Sequence, residues 1–221
     1  MKKAGFIFVL FICTFSVQGQ NKNDISIEID THYLHYFMGE NNQNNFNYGY
    51  SFLVSASKAG VKVSSGVNYA TQDYHYKLNP PSWSDQLNER QFSLRYFNIP
   101  FLINAEVKQF KKTSLSILSG LILNKLVSYD MVSFYADHPP LKESVKVPAA
   151  PGLSAKLGIQ FTRKINQKMN INLAAYSNAV LVVANQNGSS NSYRSIPLNR
   201  LSWGINLGFE YKLKQKTSRK P

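Results

Sequence analysis

LSWGINLGFEYKL, residues 201–213, alternates without a break. Leu201, Trp203, Ile205, Leu207, Phe209, Tyr211 and Leu213 are apolar, whereas Ser202, Gly204, Asn206, Gly208, Glu210 and Lys212 are small or polar. Period two over this length makes a β-strand with two unlike faces. The fold turns on which solvent each face meets. A soluble barrel, such as a small lipocalin-type carrier, would line a cavity with the apolar face and put the polar face in water. A water-facing surface is normally about 25–35% charged. The polar face here is mostly Gly, Ser and Asn, so we read the apolar face as the one that meets lipid.

The same alternation recurs along the chain. Residues 25–37 place Ile25, Ile27, Ile29, Thr31, Tyr33, His35 and Phe37 on one face. Residues 48–56, 61–71 and 153–161 alternate as cleanly. Stretches near 90–107, 113–131 and 169–183 complete a set of eight, the minimum for bacterial outer-membrane barrels. Over 90–107 the apolar parity slips: Phe92, Leu94 and Tyr96 share one face, while Phe97, Ile99, Phe101 and Ile103 share the other. A one-residue slip predicts a bulge or bend near Tyr96 and Phe97, and Pro100 fits poorly in a regular central strand.

Connection lengths sort themselves. Those near 58–60, 108–112 and 164–168 are short, whereas those near 39–47, 77–89, 132–152 and 184–199 are long. Short periplasmic turns alternating with longer outer loops are a property of outer-membrane barrels. Most strands reach the ~9–11 residues that cross a bilayer; soluble strands average about five or six. The expectation is an all-β fold: an eight-stranded antiparallel transmembrane β-barrel with short periplasmic turns and longer extracellular loops.

Composition agrees. Charged residues make up 17% of the 221, aromatics 13%, and the formal net charge is +13. Lys2 and Lys3 precede the apolar run Ala4 to Phe15, and Val17 and Gly19 fit the small-residue pattern before a cleavage site. This is the pattern of a secretory signal peptide over 1–19, and it is too short for a spanning helix. The barrel domain is then 20–213, and 214–221 is a basic periplasmic tail. Cys13, the single cysteine, lies inside the signal, and Ile12 before it does not suit lipoprotein processing. Without it, disulfides, thiol catalysis and Cys-based metal sites are excluded.

The polar face places Glu28, Asp30, Lys62, Glu106, Lys156, Glu210 and Lys212 inside the barrel, where acids and bases are expected to pair. His32 and His35 have opposite parity, and His75 and His138 fall near the outer end or in a loop, so no three-ligand metal site is expected. Asp73, Asp85, Glu89, Asp130, Asp137 and Glu143 read as solvated outer-loop residues, and the proline-rich stretch 135–151 as a stiffened outer loop. No catalytic constellation emerges, no cofactor is implied, and an enzyme is not expected. Lys58, Lys108, Lys111, Lys112, Arg163, Lys164 and Lys168 gather in the short turns. That basic periplasmic rim suits outer-membrane lipid phosphate, or envelope and secretion-complex proteins, as partners. Nucleic acid does not suit an exported chain.

The stretch RYFNIPFLIN, Arg95 to Asn104, resembles a motif of the outer-membrane β-barrel family that includes PorT-like proteins: a tyrosine, one or two residues, then Ile-Pro and an aliphatic run. Tyr96, Ile99, Pro100, Leu102 and Ile103 are the matching positions. Asn98 stands where that family often has an acidic residue. The Gly-containing stretch Leu118 to Leu123 and the closing strand Gly204 to Tyr211 are also similar. The resemblance implies an eight-stranded outer-membrane barrel; the function expected of it is a structural or interaction component of the cell envelope. The resemblance also implies one alternative, an accessory of type IX protein secretion; a narrow ion or small-solute transport barrel is a further alternative that rests on the barrel architecture alone.

Overall fold

The computed structural model describes residues 24–36, 42–43, 47–77, 87–135, 138–146, 151–182 and 201–213. The signal segment, Cys13 and the basic tail lie outside these. The strands are β1 (Asp24–Tyr36), β2 (Asn42–Gln43), β3 (Asn47–Lys58), β4 (Val61–Lys77), β5 (Leu87–Gln109), β6 (Thr113–Tyr135), β7 (Leu141–Lys146), β8 (Gly152–Lys164), β9 (Met169–Val182) and β10 (Leu201–Lys212). Eight of them form one antiparallel ring in the order β1, β3, β4, β5, β6, β8, β9, β10. First and last strands close it, with Ser26 opposite Lys212 and Tyr36 opposite Ser202. Closure pairs the backbone of every ring strand on both sides, which is what lets a sheet cross lipid.

Local chemistry makes the three short turns. Lys58 pairs with Val61 across the two residues Ala59 and Gly60, with φ of 48° and 80°. Two positive φ values are the requirement of the tight hairpin turn whose twist matches its strands. Between β8 and β9, Asn166 Oδ1 accepts the backbone N–H groups of Lys168 and Met169, each at 2.8 Å. Between β5 and β6, the Phe110 N–H donates to the Thr113 carbonyl at 2.7 Å.

Burial is inverted relative to a soluble protein. Ser26, Glu28, Asp30, Asn172 and Glu210 are buried, whereas Ile29, Phe52, Leu157, Ile205 and Phe209 are exposed on the outside of the ring. Trp203 and Tyr211 stand on that outer face as well.

The irregularity expected on β5 has a different form. Phe92, Leu94, Asn98, Pro100, Leu102 and Asn104 are all buried, so β5 keeps one parity from Phe92 to Asn104. The extra residue lies on its partner: Arg95 faces Ser128 but Tyr96 faces Leu126, which leaves Val127 on β6 as the bulge. The apparent slip is a change of environment. Below Tyr96, the outward residues are Phe97, Ile99, Phe101, Ile103 and Val107; above it they are Arg95, Ser93 and Gln91. About ten residues at about 3.3 Å each, tilted by about 40°, give a band roughly 25 Å tall, the height of the lipid-facing belt of such barrels. Above the band apolar side chains turn inward, with Leu94 opposite Tyr129 and both buried.

The expected loop over 132–152 is partly strand. β6 runs on to Tyr135, and β7 pairs with it from Ser128–Lys146 to Ser133–Leu141. β8 meets β6 only up to Asn124, opposite Gly152, so β7 takes its place beyond the bilayer. Leu141–Lys146 is too short and too charged to read as a strand by its alternation. β2 adds likewise to β4.

Candidate functional site: the barrel interior and its periplasmic mouth

Strand register sets the interior chemistry. Glu28 and Glu210 lie directly opposite one another on β1 and β10, both facing inward. Two buried carboxylates in register require a counter-charge. Lys62 on β4 reaches across with Nζ 2.8 Å from Glu28 Oε2 and 3.5 Å from Glu210 Oε2. The remaining acceptor positions are filled: Ser26 Oγ donates to Glu210 Oε1 at 2.7 Å, Asn170 Nδ2 donates to Glu210 Oε2 at 3.2 Å, and Asn172 Nδ2 donates to Glu28 Oε1. Thr162 Oγ1 in turn donates to Asn172 Oδ1 at 2.8 Å. Buried charge is tolerable when it is paired and its lone pairs are satisfied.

A second set lies deeper. Asp30 Oδ2 accepts from Asn206 Nδ2 at 3.1 Å. A Cβ on Gly208 would run into Asp30 Oδ1, so the absent side chain makes room for the carboxylate. Lys156 places Nζ 3.5 Å from the centroid of the Tyr176 ring, a cation–π contact. A Cβ on Gly204 would come within 2.8 Å of the Tyr176 hydroxyl. His32 lies 3.1 Å from Asn68 Nδ2, and that amide also donates to Ser51 Oγ at 2.9 Å. Leu34, Leu53, Leu102, Leu118, Ala174 and Tyr176 form an apolar cluster in the same interior. Side chains thus fill the lumen, as an eight-stranded circumference permits.

At the short-turn end the lumen opens into a polar vestibule of about 270 Å³. Lys62 and Glu210 form part of its floor. Asn104, Gln160, Thr162 and Asn170 line its wall, and Lys111, Lys112, Lys164 and Lys212 stand around its rim.

Five of the seven charged residues assigned to the interior from sequence are enclosed: Glu28, Asp30, Lys62, Lys156 and Glu210. Glu106 is exposed where it lines the mouth, and half-buried Lys212 pairs with Asp24 at 3.5 Å. The amide and hydroxyl partners Ser26, Asn170, Asn172 and Asn206 escaped sequence reasoning. Their inward parity was legible, but the register that brings them to the carboxylates was not. His32 faces inward and His35 faces outward, with its ring 5.3 Å from that of Trp203. His138 is exposed, and the His75 side chain lies outside the described residues. Among the described residues no three His, Cys, Asp or Glu side chains converge to hold a metal. Of the outer acids, Asp130 is held by Arg95 and Ser144, Glu143 is exposed, and Asp85 and Asp137 lie outside the described residues.

The basic rim divides in two. Lys111, Lys112 and Lys164 line the vestibule; Lys58, Lys108, Arg163 and Lys168 do not. Lys108 lies over the Phe110 ring at 5.3 Å, and Lys168 over the outward-facing Tyr211 ring at 6.0 Å.

No family model matches this sequence, and no curated relative does. Solved structures do. A major outer membrane protein from Thermus thermophilus superposes with a TM-score of 0.52 at 10% identity, over 87% of this chain and 100% of that one. Neisserial surface protein A gives 0.49 at 8% identity, over 87% and 100%. CarO of Acinetobacter baumannii gives 0.41 at 10%, over 83% and 97%. The likeness to the Thermus protein, with the outward apolar belt, establishes the fold as an outer-membrane β-barrel. The chain is a multi-strand protein of the outer membrane.

Proposed function

We propose that this barrel is a structural or interaction component of the cell envelope that acts through its ends rather than through its lumen. The network joining β1, β4, β9 and β10 across the interior carries this reading: Lys62 bridges Glu28 and Glu210, and the apolar cluster fills the lumen further in. A solute path would have to break that buried ion pair and displace Leu and Tyr side chains. The partners in this reading are outer-membrane lipid around the belt and envelope proteins at the basic periplasmic mouth. Enzymatic chemistry and nucleic acid have no part in it.

Planar-bilayer recording of the refolded full chain tests the reading. The expected record has no discrete conductance steps. Reproducible ion-selective steps, abolished by closing substitutions in the lumen, would replace it with a narrow ion or small-solute transport role.

The resemblance of Arg95 to Asn104 to PorT-like barrels favours a second, finer reading, that of an accessory of type IX protein secretion. Tyr96 of that motif stands at the bilayer edge and Pro100 faces the lumen. Deleting the gene and measuring secretion of a type IX substrate checks it; unchanged secretion removes it.

A further inference from the structure

We infer that the periplasmic vestibule is a binding site for the acidic tip of an extended peptide, supplied by a periplasmic protein or domain. The inference rests on the interaction role proposed above and gives that role a site and a ligand chemistry.

Three features of the mouth support it. First, the cations are in excess and unspent: five lysines line the vestibule against two glutamates. Lys62 is consumed by Glu28 and Glu210, and Lys212 by Asp24. Lys111, Lys112 and Lys164 are exposed and have no ion-pair partner among the described residues. Three free ammonium groups around one opening make an electrostatic funnel for carboxylates. Second, the wall calls for N–H donors as well as anions. Asn104 is 5% exposed, lines the vestibule, and its Oδ1 accepts no hydrogen bond from the described residues. A buried carbonyl oxygen without a donor is costly. A turn of the Asn104 side chain would present Oδ1 to the backbone N–H groups that a peptide brings together with its carboxylates, whereas a simple anion brings only acceptors. Third, the dimensions suit a chain end. About 270 Å³ lies below the ~300–1,000 Å³ of pockets for whole small-molecule ligands, and Lys62 and Glu210 close the floor. A narrow, blind, polar opening of this size admits the tip of an extended chain, with the rest of the peptide lying outside along the lysine rim.

The outward ring of Lys108, Arg163 and Lys168 supplies the internal control. It has the same charge and stands at the same end of the barrel, but lies outside the vestibule. Its place at the bottom of the lipid belt suits phosphate headgroups.

The test uses the full chain refolded in zwitterionic micelles and a fluorescein-labelled hexapeptide of alternating Glu and Asp, read by fluorescence anisotropy. Two triple variants are compared, Lys111→Gln/Lys112→Gln/Lys164→Gln and Lys108→Gln/Arg163→Gln/Lys168→Gln. Both remove only exposed charges, and folding of each is checked by heat-modifiable gel migration. The expected result is saturable binding to the native chain, weakened about tenfold by the first triple and less than twofold by the second. Asn104→Leu should weaken the peptide severalfold. Equal weakening by both triples would overturn the proposal in favour of a diffuse basic surface. Displacement by inorganic phosphate as effectively as by unlabelled peptide, or an unchanged affinity in Asn104→Leu, would overturn the peptide assignment. Absence of binding would overturn the site itself. Failure of the interaction role shows elsewhere, as discrete conductance steps in bilayers, so the two outcomes are separable.

Discussion

Lys62 is the residue on which the periplasmic half of the interior depends. Lys62→Met would leave Glu28 and Glu210 facing each other, buried and uncompensated. The expected cost is about 3–5 kcal/mol, read as a lower urea midpoint in lipid vesicles. Adding Glu28→Gln and Glu210→Gln to Lys62→Met should recover much of it, because neutral amides do not require a counter-charge. Gly204 makes a different point. A side chain there would meet the Tyr176 ring, so Gly204→Val should cost about 1–3 kcal/mol by overpacking. The boiled form should then appear on gels at a lower temperature than for the native chain. Sequence parity was enough to send Glu28, Lys62 and Glu210 inward. It was not enough to pair them, because pairing depends on which residues of β1, β4 and β10 share a level around the ring, and those strands are far apart in the chain.

At the level of the strand, the outer face records depth in the membrane. Leu157, at the middle of β8's apolar run, is 63% exposed and faces lipid. Leu157→Arg should cost about 2–4 kcal/mol, whereas Thr71→Arg on β4, level with Arg95 of β5, should change stability by less than about 1 kcal/mol. Urea unfolding in vesicles distinguishes the two. The slip seen in β5's apolar pattern lies at this boundary. Alternation reports which side chains are apolar, and inside a bilayer that means outward. Above the bilayer it means inward, and so Phe92 and Leu94 changed face relative to Phe97 without the backbone changing parity. The bulge belongs to Val127 of β6, where alternation was already irregular and no single residue stood out. β7 was missed for a related reason: a strand beyond the bilayer has no lipid-facing apolar row to mark it.

For the whole molecule, the short turns, the start of β1 and the end of β10 gather at one mouth, and the β2, β4, β5, β6, β7 sheet extends from the other. In a Cys13→Ser background, a cysteine at Glu143 should react with a membrane-impermeant maleimide on intact cells, and one at Gln109 only after the outer membrane is permeabilised. The reverse pattern would invert the orientation. The sequence by itself determined the class of solvent around the barrel, the number of ring strands, the direction of most side chains and the division into short and long connections. Each of these is a local property, because period-two alternation and turn chemistry act within a few residues. Only the tertiary structure decided the partners. Closure brought β1 against β10, set Glu28 opposite Glu210 with Lys62 across from both, and divided one run of turn lysines into a ring lining the vestibule and a ring outside it. Those relations depend on shear and register around a closed ring, and no stretch of the chain contains them.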